Sequence, residues 1–313
     1  MISTDPDIDV LLATWNGSRF IEEQLDSLFR QTCQNFRLIV RDDASSDSTL
    51  QIVEQYRSRH PERVLVRKNP SRQGACPTFS LLAEESTAPY FAFCDQDDIW
   101  RADKLALELA TAKSIEAKRS VDTPVLVYSD LELIGDDNQL LAPSVWKMKH
   151  VNPHRATFGS MQVQNVVNGC AMLGNRSLLL RGIPIPEEAF MHDFWFALVA
   201  VAFGVLGPLN DATVRYRQHQ HNAMGAGNGL RITDAFRRLL VDPDFKHGLE
   251  KSRRQAGKFR ERYADQLSTQ QKGILQTWSR APSLPIGVRQ WTLYRCGLRR
   301  TSFLNTLAFL ARV

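Results

Sequence analysis

Apolar residues in this chain fall into short runs that end abruptly in polar clusters, with helical-period segments between them. Ile8–Ala13 (IDVLLA), Phe36–Arg41 (FRLIVR), Val64–Val66 and Tyr90–Cys94 (YFAFC) have the length and composition of buried strands. Ile21, Leu25, Leu28 and Phe29 recur at helical spacing, with Glu22 and Glu23 in the first turn and Ser18 as the expected N-cap. A second helix opens at Ala44–Asp47 and carries Leu50, Ile52, Val53 and Tyr56. The turn Asn69–Gly74 leads to a third over Pro77–Glu85. Alternating β and α segments predict parallel strands with right-handed crossovers, an α/β doubly wound layer structure.

Three of these strands end in polar groups: Thr14 to Asn16, Asp42-Asp43, and Asp95, Asp97 and Asp98. In open α/β sheets ligands bind beyond the carboxyl ends of the strands, so these turns predict one cleft. Acids grouped where a buried strand stops repel one another and lose hydration unless positive charge sits among them. A hard divalent cation meets that need, since Mg²⁺ or Mn²⁺ takes carboxylate and phosphate oxygens. An acidic loop facing solvent is the plainer alternative.

Taken in order, LLATWNGSRFIEEQLDSL, RDDASSDST and FCDQDDIW, then NVVNGCAML (Asn165–Leu173), MHDFW (Met191–Trp195) and YRQHQHNAMG (Tyr216–Gly225), resemble the family 2 inverting glycosyltransferases of the GT-A fold. The last set is similar to the bacterial rhamnosyltransferase-like branch, which builds cell-surface polysaccharides. The likeness covers roughly residues 7 to 228, and its order is more specific than any single motif. It implies nucleotide contacts at Thr14 and Asn16, and an Asp42 that accepts from a pyrimidine N3–H, suiting a UDP- or dTDP-sugar. It further implies sugar or ribose contacts at Asp95, metal ligation by Asp97, and Asp193 as the catalytic base. His219 and Asn222 match the pattern near the diphosphate and lid, with His219 a candidate metal ligand. Trp15 in place of the commoner Tyr, Ala44 where Gly is frequent, and Gln220 and His221 depart from the pattern and bear on specificity.

The implied chemistry makes demands these residue types can meet. A departing diphosphate needs its charge stabilised, and the acceptor hydroxyl needs a base, a role typically worth about 10²–10⁴-fold. Asp193 precedes an apolar run, so it could equally cap a helix, a role compatible with catalysis. His192 reads as a neighbour that shapes the site, and Asp98 as a further candidate there. Arg72 could pair with the diphosphate and Gly74 follows it, while Gly169 would let backbone approach the donor sugar; a surface Arg and plain turns are the alternatives.

Charge changes the picture at the C-terminus. From residue 228 on there are 17 Lys and Arg against 6 Asp and Glu, a net of +11; the preceding part has 22 against 28, a net of −6. The expected organisation is a GT-A catalytic domain over 1–228 and a helical, basic extension over 229–313, with helices at Gly229–Leu240, Phe245–Trp278 and Val288–Val313. That last segment could lie on an anionic membrane surface or pack on the catalytic domain. No stretch of about eighteen apolar residues predicts a spanning helix, no signal-peptide pattern opens the chain, and five cysteines without a C-x-x-C pair fit a reduced compartment. The expected place is therefore cytoplasmic, peripheral at the inner face of the cell membrane. The acceptor would be a saccharide or a lipid-linked saccharide. Nucleic acid is not an expected partner, because no recognition motif accompanies the basic tail. Two rival functions are a haloacid-dehalogenase-like phosphotransferase, which also uses D-x-D at a strand end, and a non-catalytic nucleotide-sugar binder.

Overall fold

The structure is a computed structural model in which residues 5–219 and 245–313 are described. Nine strands are found among them: β1 (Ile8–Thr14), β2 (Phe36–Asp42), β3 (Val64–Lys68), β4 (Tyr90–Cys94), β5 (Ile99–Trp100), β6 (Val125–Ile134), β7 (Leu140–Ala142), β8 (Met172–Asn175) and β9 (Val205–Arg217). They make one mixed sheet in the order β3-β2-β1-β4-β8-β6-β9-β5, with β7 beside β6. The β3-β2-β1-β4 part is wholly parallel, which brings the carboxyl ends of β1, β2 and β4 to one edge. Register there is tight: Thr14 lies opposite Asp42, and Leu12 opposite Cys94.

These strands are buried on both faces, which is why their sequences read as continuous apolar runs rather than alternating ones. Val10 and Leu12 belong to the core under helices α1 (Ile21–Phe29), α2 (Thr49–Arg59) and α4 (Lys104–Lys118), whereas Leu11 faces the opposite core. Helices α3 (Ala75–Glu85) and α8 (His192–Phe203) cover that second face, with the short α5 (Val145–Met148), α6 (Phe158–Met161) and α7 (Arg176–Gly182) around them. Four further helices follow: α9 (Phe245–Arg262), α10 (Thr269–Arg280), α11 (Ile286–Arg295) and α12 (Phe303–Leu310). Their Phe259, Trp278, Leu293, Leu298 and Phe309 share one core cluster with Trp195 and Phe196 of α8.

Several sequence expectations change. Ser18 does not cap α1: the helix begins after Phe20 without a side-chain cap, and the Ser18 N–H is taken by Asp47 Oδ2 at 3.1 Å. The two long C-terminal helices are each broken. Ser268 and Gln271 form a reciprocal capping box that restarts the chain as α10. Gly297 sits at φ +77°, and the bonds Leu298 N→Leu293 O (2.9 Å) and Gly297 N→Tyr294 O (3.2 Å) complete a Schellman stop after α11. Leu298, in the segment open to a membrane surface or to packing on the catalytic domain, is fully buried, as is Leu293. The expected helix at Gly229–Leu240 and the candidates Gln220, His221 and Asn222 lie outside the described residues.

Candidate active site

The nucleotide side of the cleft is built by the turns after β1 and β2. Thr14 Oγ1 donates to Asp42 Oδ1 at 2.9 Å, and Ser45 donates to the same carboxylate through its N–H (2.9 Å) and hydroxyl (2.5 Å). Asp42 is thus fully buried and aimed, with three internal donors holding it. Asn16, exposed at the lip with φ +45°, ties the two turns together: its N–H donates to Ser45 Oγ (2.9 Å) and its Oδ1 accepts from Ser46 N (2.8 Å). Asn tolerates this left-handed backbone better than most residues, whereas Ala44 at φ +61° has no such ease. Arg72 lies flat over the Trp15 indole, 3.4 Å from its centroid, so this arginine and the departure from Tyr form one wall. Beneath it, Asp43 gathers the 69–74 turn, accepting from Asn69 Nδ2 (2.8 Å), Gln73 N (2.8 Å) and Gly74 N (2.7 Å). Gly74, at φ +93°, then starts α3.

The acidic turn after β4 is stitched to this wall by Gln96. Its side chain accepts from Trp15 N (2.8 Å) and donates to Trp15 O (3.0 Å). A Cβ on Gly17 would lie 2.2 Å from Gln96 Oε1, so any larger residue there would push the Gln96 amide off its bonds to Trp15. Beyond Gln96, His219 Nε2 meets Asp97 Oδ2 at 2.7 Å, and the His219 ring rests on Phe20 with centroids 5.1 Å apart. Asp98 is fully buried; its Oδ1 accepts from Arg217 N at 3.1 Å. Burial, then the charges of Asp97 and Asp193, push Asp95 up to about 7, and burial with Asp97 and Asp95 pushes Asp98 well above the carboxylate range. These acids repel as they stand, and a cation among them would relieve that. Carboxylate oxygens with one imidazole nitrogen suit a hard divalent ion, so Asp97 and His219 fit the metal expected of them. Half-buried Asp95 and buried Asp98 and Cys170 also bring ligand atoms within 4.8 Å of one another, but a thiol is a poor partner for Mg²⁺ or Mn²⁺.

Facing these acids is the start of α8. Asp193 is the second residue of that helix rather than its N-cap, which is Met191. Its Oδ1 accepts from Phe194 N (2.7 Å), its Oδ2 from Asn165 Nδ2 (3.1 Å), and the Gly169 backbone also donates to it. Burial nevertheless outweighs those donors and raises it to about 6. His192 points the other way into the core, with its ring against Phe79 (centroids 3.9 Å apart) and edge-on to Phe93 (4.5 Å). Burial lowers it to about 3, so it is a neutral wedge. A Cβ on Gly169 would meet His192 Nε2 at 2.7 Å, which gives that glycine a packing role beside any contact with a donor sugar.

Sequence reasoning missed Arg217. It is 1 % exposed, and its guanidinium donates to Asp97 O (2.9 Å) and Asp136 O (3.1 Å) and pairs with Glu23. It therefore clamps the acidic turn from beneath while the same strand delivers His219. An Arg two positions before a candidate ligand was the available signal. Gln96 and Asn165 were also missed, because each bonds a partner far away in sequence, Trp15 and Asp193, and the Asp42-Asp43 strand end gives no sign that Asp43 gathers the 69–74 turn. The acidic turn follows the fourth strand in sequence, in the middle of the sheet, whereas the phosphotransferase alternative requires it on the first.

Comparisons with known proteins bear on the family and the fold. Residues 9–179 match the family model described as Glycosyl transferase family 2. The chain is 26% identical over 134 residues to the putative glycosyltransferase EpsE of Bacillus subtilis, covering 43% of this chain and only 48% of that protein. Over 227 residues it is 24% identical to the dTDP-rhamnosyl transferase RfbG of Shigella flexneri (69% of this chain, 74% of that protein). Over 217 residues it is 25% identical to WfgD of Escherichia coli, a UDP-Glc:alpha-D-GlcNAc-diphosphoundecaprenol beta-1,3-glucosyltransferase (68% and 78%). Among solved structures, S. aureus TarS 1-349 in complex with UDP-GlcNAc superposes with a TM-score of 0.57 at 16% identity, over 93% of this chain and 88% of that one. The mannosyltransferase PcManGT from Pyrobaculum calidifontis, in complex with GDP-Man and Mn²⁺, gives 0.52 at 17% identity, over 98% and 88%. The mixed sheet with its helices is thus the GT-A fold, and the chain belongs to glycosyl transferase family 2.

Proposed function

We propose that the protein transfers a sugar, with inversion, from a UDP- or dTDP-linked donor to a saccharide acceptor of a cell-surface polysaccharide. The observation that carries this reading is that the Gly169 backbone bonds Asp193 while the next residue, Cys170, lies within 4.8 Å of Asp95 and Asp98, so one segment joins the candidate base to the acidic turn. A base thus stands across the cleft from the group that would bind the donor. Asp193, held by Asn165 and the Gly169 N–H and poised near 6, takes the proton of the acceptor hydroxyl as it attacks. Asp42, fixed by Thr14 and Ser45, offers its remaining acceptor capacity to a pyrimidine N3–H. Asn16 braces that turn, and Arg72 with Gly74 borders the diphosphate. Mg²⁺ or Mn²⁺, held by Asp97 with His219, would supply charge stabilisation for the leaving diphosphate. Mn²⁺ in the PcManGT structure supports a metal of this kind.

RfbG supports dTDP-rhamnose as donor, and WfgD supports an acceptor carried on a lipid diphosphate. No described helix is long and apolar enough to cross a membrane; a peripheral position at the cytoplasmic face suits such an acceptor. Thermal shift over a panel of nucleotide sugars with Mn²⁺ tests the donor. Uridine or thymidine diphosphate sugars should stabilise most, because a base without a matching N–H leaves the remaining acceptor position of buried Asp42 unfilled on desolvation. Stronger stabilisation by a guanosine diphosphate sugar would overturn the assignment, and donor binding without hydrolysis or transfer would favour a non-catalytic binder.

A further inference from the structure

The last two helices carry a surface that the other described residues leave uncovered. Trp291 and Tyr294 on α11, and Phe303, Leu304 and Leu307 on α12, are between 45% and 71% exposed. Gln290 Nε2 donates to Leu310 O at 2.7 Å and holds the two helices side by side. Large apolar side chains gathered this way mark an interaction site rather than ordinary surface. Its charge is one-sided: residues 266–313 contain Lys272 and six arginines (280, 289, 295, 299, 300 and 312) and no Asp or Glu. Two of them lie over the exposed aromatics, Arg295 at 5.4 Å from the Trp291 ring and Arg299 at 5.4 Å from Tyr294.

We propose that α11 and α12 form a docking face for an anionic lipid bilayer. Exposed Trp, Tyr, Phe and Leu beside arginines, with no acid among them, match an interface that is apolar inside and negatively charged at the headgroups. A second copy of this chain fits less well, because a symmetric contact would set arginine against arginine with no carboxylate to neutralise them. The face is also wired to the active site. Thr301, between the two helices, donates to Gln164 Oε1 through its N–H (2.8 Å) and hydroxyl (3.1 Å), and the next residue, Asn165, holds Asp193. Docking would therefore bear on helices that lean, through Thr301 and Gln164, on the segment holding the base. This extends the reading of a lipid-linked acceptor but does not depend on it, since lipid binding is measured without any sugar.

The test is co-flotation of the full chain with phosphatidylcholine vesicles, with and without about one-third phosphatidylglycerol. Removing the core residues Leu293 and Phe309 by truncation would unfold the tail, so point variants are used. The wild type should float with anionic vesicles, lose most binding when salt is raised from low to high, and ignore neutral ones. A Trp291→Ser, Phe303→Ser, Leu307→Ser variant and an Arg295→Gln, Arg299→Gln variant should each partition at least tenfold less, while melting normally and binding UDP or dTDP like wild type. Three results overturn the proposal: no flotation of the wild type, unchanged flotation of both variants, or a vesicle-free dimer in sedimentation that the triple variant dissociates. Loss of donor binding in the wild type would count against the transferase reading alone.

Discussion

His219 Nε2 and Asp97 Oδ2 stand 2.7 Å apart although 122 positions separate them in the chain. The contact exists because β9 pairs with the two-residue β5 that follows the acidic turn, Ile99 opposite Arg215 and Trp100 opposite Val214. A long strand thus returns to the cleft and closes it from the far side.

If that pair holds the metal, Asp97→Asn and His219→Gln should each remove the tightening of nucleoside diphosphate binding by Mn²⁺, measured calorimetrically. Turnover should fall about 10²-fold or more in Asp97→Asn, because charge stabilisation of the leaving group is a large part of catalysis. Asp95→Asn should weaken donor binding and keep part of the metal response. Wild-type turnover by Asp97→Asn in the presence of chelator would refute the assignment.

The base makes its own prediction. Asp193 must be ionised to accept a proton, and burial raises it to about 6, so activity should be lost as pH falls through about 6. Asp193→Asn should lower kcat by about 10²-fold or more with donor affinity nearly unchanged. Asn165→Ala removes a donor that stabilises the charged form, so the acidic limb should move to higher pH. A limb that stays in place would mean another group titrates.

Arg217 tests the clamp. Arg217→Met should cost about 1–3 kcal/mol, since it strips carbonyls of two loops of their buried donor while half-exposed Glu23 is left to water. Metal-dependent nucleotide binding should weaken with it, because His219 lies two residues on. Arg217→Lys should recover little, as an ammonium cannot reproduce the fork. Denaturation midpoints and calorimetry together separate a clamp from a merely structural ion pair, which would move the first and spare the second.

Ala44 offers the opposite sign. Its φ of +61° carries a penalty for an L-residue of roughly 1–2 kcal/mol, partly offset by the chain entropy a glycine adds when unfolded. Ala44→Gly should therefore stabilise the protein by up to about 1 kcal/mol, read as a higher denaturation midpoint, with turnover retained. A loss of stability would show that the turn is held by something other than backbone geometry.

How much of this was legible in the sequence depended on how local the signal was. The β1, β2 and β4 runs and their polar ends could be read because parallel strands buried on both faces are uniformly apolar. β9 could not: Pro208, Asn210 and Asp211 interrupt its pattern, and register shifts near Ser129 and Asp130 absorb them against β6. β5 is two residues long and exists only through pairing. The break at Gly297 was readable, since a glycine after Arg295 is a helix stop, yet the surrounding apolar residues outweighed it in the reading. Contacts such as Gln96 with Trp15, or Thr301 with Gln164, leave no periodic trace.

The shared core of α8 and the C-terminal helices has a practical consequence. Trp195, two residues after the base, stacks edge-on against Phe259 of α9 at 5.4 Å, and Phe259 packs in turn on Tyr263 at 4.7 Å. Amide hydrogens of α8 and α9 should consequently exchange together, in one opening event, rather than in two. An enzyme trimmed to the 9–179 segment that defines its family would be missing Asp193 and most of the wall that keeps α8 in place. The region with the least family signature is thus part of what holds α8, and with it the proposed base, in place.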